Sequence, residues 1–156
     1  MKGFVLAEQG HVVQGLAPID IDSAALNSDV WSMGDYGHAS IIIGLGVTGA
    51  AATVTLEECD DFTPSNSTAI AFDYYAEAVA GGDTLGARTA AAAAGFATAT
   101  TDGIFYVIEI DASALTDGFP NLRVALTDPG TATFAQITVI LSGSRYAEAE
   151  SATAIA

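Results

Sequence analysis

Residues Ala39 to Glu58 read ASIIIGLGVTGAAATVTLEE. The run Ile41-Ile42-Ile43 is apolar at consecutive positions, as expected of a central strand covered on both faces, and it predicts a strand over Ala39 to Leu45. Thr53 to Glu58 has a different rhythm. Val54 and Leu56 alternate with Thr53, Thr55 and Glu57, the period of a strand with one buried face. Gly44, Gly46 and Gly49 between them predict a bend or loop.

The same reading extends outward in both directions. Phe4 to Val13 reads as a pair of extended segments broken at Gln9-Gly10, and Ala17 to Ile21 as another with Ile19 and Ile21 on one face. Asp22 to Leu26 reads as a helical turn or loop. Ile70 to Ala76 places Ile70, Phe72 and Tyr74 on one face and points Tyr75 away from them. Leu85 to Thr89 reads as a short strand. The five alanines Ala90 to Ala94 are too few for an independent helix and are expected to be extended or looped. Thr101-Asp102-Gly103 is a hairpin-type turn signal. Ile104 to Ile110, Leu122 to Leu126 and Ala135 to Leu141 are further strands, and Asp111 is a candidate cap for a helical turn over Asp111 to Leu115. The polar stretch Asp60 to Ser67 and Asp128-Pro129-Gly130 are turns.

These segments predict an all-β chain, a two-sheet antiparallel sandwich, jelly-roll-like, with about eight strands. A chain of 156 residues makes one domain. The domain is expected over residues 1–147 with an N-terminal arm, followed by a flexible tail over 148–156, where the sequence is small, polar and unpatterned.

Charge narrows the partners. The chain has 19 acidic and 4 basic residues, a net charge of −15. Such a surface repels phosphates and anionic lipid, which argues against nucleic acid and membrane as partners. The start of the chain has one Lys and a short apolar run, Phe4 to Ala7, before Glu8, which is not the pattern of a secretory signal. Cys59 is the only cysteine. It lies between Glu58 and Asp60, whose charges disfavour its thiolate, and it reads as an inert thiol.

No arrangement of residues marks an enzyme. GLGVTG, Gly44 to Gly49, fits a dinucleotide-binding string, but a second strand follows it where a helix is required. His11 and His38 are the only histidines, too few and too unsupported for a zinc site. His38 is expected to be a hydrogen-bonding edge residue at the start of a strand. Ser, His and acidic residues form no nucleophile elbow. Glu57, Glu58, Asp60 and Asp61 are the densest acidic cluster. They read as a solvated rim, with calcium as the alternative because hard cations take several loop oxygens. No cofactor is expected. Trp31 reads as a residue capping one end of the sandwich, or as an exposed aromatic that binds sugar or a subunit.

Residues 31–75, WSMGDYGHASIIIGLGVTGAAATVTLEECDDFTPSNSTAIAFDYY, resemble a group of small tailed-phage and prophage proteins from the head-building part of phage genomes. Val107 to Asp111, the string DGFPNLRV over 117–124 and the end SGSRYAE over 142–148 look similar to that group too. The resemblance covers residues 30–147, and its motifs are structural. It implies a virion structural role, most simply a capsid decoration (cement) protein on the outer surface of the head, made in the host cytoplasm. Its implied partner is the major capsid protein, and its implied state a homo-oligomer, with a trimer favoured. No catalytic residue carries over. One end of the sandwich and the two termini are the expected contacts, with Phe4, Val5, Trp31, Tyr75, Arg145 and Tyr146 as candidate shell or subunit residues. The alternatives are a head spike, neck or tail component, or a carbohydrate-binding host-contact module using Trp31, Tyr74 and Tyr75.

Overall fold

A computed structural model describes residue 3 and residues 5–145 of the chain. Phe4, Tyr146 and the tail over 148–156 lie outside them. Strands make up 53% of the structure and helix 5%, and the strands form two antiparallel sheets packed as a sandwich.

The first sheet has the order β1 (His11–Asp20), β12 (Thr133–Ser144), β4 (Tyr36–Thr48), β10 (Phe105–Asp111), β7 (Phe72–Ala76) and β8 (Thr89–Ala91). In the second, β11 (Asn121–Leu126) and β5 (Thr53–Cys59) lie at the centre. β2 (Leu26–Asn27) and β3 (Trp31–Ser32) pair with the free side of β11, while β6 (Ser67–Ile70) and β9 (Phe96–Ala97) pair with that of β5. The pairings β4–β10 and β5–β11 interleave along the chain, and β1–β12 encloses both. The first long strand lies against the last, β4 lies against β10, and the two inner strands of the second sheet lie against each other.

Alternation builds the core. Val54 and Leu56 on β5 and Leu122 and Val124 on β11 have no solvent exposure, and neither do Ile41, Ile43, Ile108, Ile137, Val139 and Leu141 from the first sheet. Each such side chain contributes about 1.5–3 kcal/mol relative to an exposed one. All belong to one contiguous cluster. An aromatic group ties the sheets together at one side. The rings of Tyr74 on β7 and Phe96 on β9 stack at 4.0 Å with 8° between planes. Tyr106 lies 5.0 Å from Phe96, and its hydroxyl accepts the Ala99 N–H at 2.7 Å.

Several expectations change on contact with this architecture. Ile42 is not covered like its neighbours. It is half-buried on the outer face of the first sheet, because only the inner face meets the second sheet. Gly44 and Gly46 do not bend the chain. β4 runs through them to Thr48, held by its ladder to β12, in which Gln136 lies opposite Gly44. The loop comes later, over Gly49 to Ala52. Residues 67–76 form two strands rather than one. Ile70 pairs with Leu56 in the second sheet and Tyr74 with Ile108 in the first, so the chain changes sheets at Ala71. That change, with the two- and three-residue strands, raises the count among the described residues to twelve.

The N-terminal segment has a helical turn, α1 (Leu6–Gln9), before β1 in place of paired extended segments. Leu85 contributes one isolated bridge to Glu77, and the strand begins only at Thr89. Within Ala17 to Ile21, Ile21, just past the end of β1, is 1% exposed, whereas Ile19, opposite Ala135, is 45% exposed. Thr101 to Gly103 is a turn, but it carries the chain from β9 to β10 in the other sheet, so it closes a corner and not a hairpin. Ala112–Ala114 is a 3-10 turn with no side-chain cap from Asp111, whose carboxylate is engaged elsewhere.

Candidate functional site

The most developed constellation of polar side chains is on the outer face of the first sheet, over β4, β10 and β7. Alternation places His38 and Ser40 outward on β4, and Glu109 and Asp111 outward on β10. The register sets His38 opposite Asp111 and Ser40 opposite Glu109. His38 Nδ1 lies 2.7 Å from Asp111 Oδ1 and Nε2 lies 2.7 Å from Glu109 Oε2. A carboxylate only accepts, so both ring nitrogens donate and the imidazole is a cation. Burial opposes that charge, but the hydrogen bonds to Asp111 and Glu109 and their negative charges outweigh it, and the His38 pKa is raised above 6.5. Ser40 Oγ donates to the same Glu109 oxygen at 2.6 Å. Because Ser40 bonds the acid and not the imidazole, the group lacks the hydroxyl–base contact that activates a serine nucleophile.

Beside this cluster a cleft of about 370 Å³ opens over β10 and β7. Its walls include Asp73, Tyr75, Arg88, Glu109 and Ser113. Asp73 is next to Glu109 in the ladder, and Arg88 forms an ion pair with it from the segment before β8. The cleft therefore holds three carboxylates, a guanidinium and an imidazolium around one aromatic ring.

The other half of the same face is apolar. Val12 on β1 is 50% exposed and Phe134 on β12 45%, and Val47 near the end of β4 is 59% exposed. Between them is a notch of about 200 Å³ lined by Pro18, Gly44, Gly46, Phe134 and Gln136. The two glycines create it. A Cβ on Gly44 would stand 3.1 Å from Gln136 Nε2, and one on Gly46 3.2 Å from Phe134 Cβ.

The candidate contact residues separate. Val5 is 39% exposed just before α1. Arg145 is exposed just after β12, its N–H bonded to the Asp35 carbonyl at 2.8 Å. Since His11 pairs with Leu141, both leave the β1–β12 ladder at one end. Tyr75 points outward as expected and forms part of the cleft wall. Trp31 is wholly buried in the core, with its indole N–H unpartnered by protein, and presents no ring face to a sugar or a subunit. Tyr74 is likewise engaged, stacked on Phe96.

The acidic cluster does not converge. Glu57 takes Arg123 Nε at 2.8 Å, Glu58 is 3% exposed and accepts the Thr116 N–H, and Asp61 accepts the Phe62 N–H. Asp60 accepts from Ser65 and Asn66, whose hydrogen bonds hold its carboxyl well below the usual range. Among the described residues no group of three or more His, Cys, Asp and Glu is arranged to hold a metal ion. Burial first, then Glu57, Asp60 and Glu58, push the Cys59 thiol up to about 11 against the pull of Arg123. The acidic neighbours are legible in the sequence, but the larger cause, burial, is not.

His38 bonds as expected but lies on β4, an interior strand, and not at an edge. Its partnership with Glu109 and Asp111 escapes sequence reading. The H-x-S and E-x-D spacings each predict two outward side chains, but only the β4–β10 register joins them. No helix among the described residues is long and apolar enough to cross a membrane. No protein-family model matches the chain, and no curated protein is similar to it in sequence.

Proposed function

We propose that this chain is a non-enzymatic phage virion structural protein that decorates the outer surface of the head shell. The observation that carries the reading is the apolar half-face on β1, β12 and the end of β4, where Val12, Val47 and Phe134 are 45–59% exposed on a chain of net charge −15. Apolar side chains grouped on one side of an acidic molecule suit a surface that docks on another protein. The notch made by Gly44 and Gly46 gives such a partner a place to insert a side chain. Val5 and Arg145 flank the same end of the β1–β12 ladder, where His11 pairs with Leu141. The resemblance over residues 30–147 supports a head-region role. The partner is the major capsid protein, and the docked state is a homotrimer about a lattice axis.

The test is to mix the purified protein with shells that lack it and to image the product. Density at regular lattice positions with threefold shape is the expected result. Bare shells, with the protein found at a vertex, neck or tail of native virions, would move the role to another virion component.

A further inference from the structure

We propose that the cleft over β10 and β7 binds a neutral saccharide unit. The chemistry of its walls selects the ligand. Asp73, Glu109 and Asp111 offer only acceptors, while Arg88 offers only donors, both His38 N–H groups being spent on Asp111 and Glu109. A ligand that touches both sets must donate at one atom and accept at a neighbouring one. Hydroxyl groups do both.

Charge excludes the other small polar ligands. An anion would meet three carboxylates on a chain of net charge −15. A cation would find every carboxylate already paired, Asp73 with Arg88 and Glu109 and Asp111 with His38. A polyol meets neither penalty. The side chains of Arg88 and Asp111 are 66% and 69% exposed, so both keep hydrogen-bonding capacity beyond their internal partners. Tyr75 adds a flat, half-buried ring against which the C–H face of a sugar packs. The volume of about 370 Å³ is at the small end of ligand pockets, fitting a short saccharide unit and not a long chain.

The residues of this site are separate from the exposed apolar ones, lying on β10 and β7, whereas those lie on β1, β12 and the end of β4.

The experiment applies the full chain to immobilised neutral oligosaccharides carrying glucose, galactose, mannose, rhamnose and N-acetylhexosamine units. Sialylated and glucosamine-terminated glycans serve as the charged probes. Retention on at least one neutral glycan is expected, weakened about tenfold or more by Tyr75→Ala and by Arg88→Gln. Arg88 is exposed, so its variant keeps the fold, and an unchanged unfolding midpoint checks this for both. Stronger retention on the charged glycans overturns the proposal. So does neutral-glycan retention that is absent or no greater for the wild type than for Arg88→Gln.

Discussion

Gly95 holds a position no other residue fits. Its φ is +77°, and a Cβ there would stand 1.9 Å from the carbonyl oxygen of Val54, a backbone atom that cannot swing aside. Its N–H closes a turn onto Ala92 and sets Phe96 down on Tyr74. Left-handed strain and overpacking add, so Gly95→Ala is expected to destabilise the fold by about 2–5 kcal/mol in denaturant unfolding. Gly81 is the control. Its φ is +67° but nothing lies within 4 Å of its added Cβ. Gly81→Ala is expected to cost only the strain, about 1–2 kcal/mol. Equal losses at the two sites would mean that the contact with Val54 does not matter. In the sequence Gly95 is only the residue that ends an alanine run. Its meaning comes from β5, some forty positions away.

At the scale of elements, β4 and β10 are joined twice, by their backbone ladder and by the His38 cation held between Glu109 and Asp111. The folded pKa of His38 is raised, so its contribution to stability is complete below the unfolded value of about 6.5 and is lost as pH rises through the folded value. The pair is partly exposed, which limits the effect to less than about 1 kcal/mol. NMR titration of the His38 ring is expected to give a pKa above 6.5, brought down by Glu109→Gln. The stability gap between wild type and that variant is expected to be widest on the acid side and to narrow as pH rises. A gap that widens with pH would reverse the sign and remove the imidazolium from the account. The strands in this pair were legible individually. Val54 and Leu56 on β5 and Leu122 and Val124 on β11 reveal their inner faces by period alone, whereas the run Ile41 to Ile43 marks a strand without saying which face is inner. What they do not reveal is which strand lies beside which. The site depends on that, because its four side chains come from two strands about seventy residues apart. The glycines of β4 were misread for a related reason. A strand held by partners on both sides keeps an extended backbone through residues whose local preference is to turn.

At the scale of the molecule, the sandwich is covered on the inside and divided on the outside. One half of the first sheet's outer face carries the paired charges of the cleft, and the other carries Val12 and Phe134. Alternation predicts that Val12 and Phe134 face outward, and the register sets them toward opposite ends of the β1–β12 ladder, Val12 opposite Ile140 and Phe134 opposite Asp20. Because both side chains are about half exposed, replacing them takes little from the core. The double variant Val12→Glu, Phe134→Glu is therefore expected to keep its unfolding free energy within about 0.5 kcal/mol per site. Shell docking has the opposite sensitivity. A carboxylate buried at an apolar contact without a partner loses its hydration and regains nothing. Occupancy of the shell is expected to fall to background, read by cosedimentation of the variant with bare shells. A variant that folds normally and still decorates shells like the wild type would clear this half-face of any part in docking, and would leave the chain ends as the contact to test next.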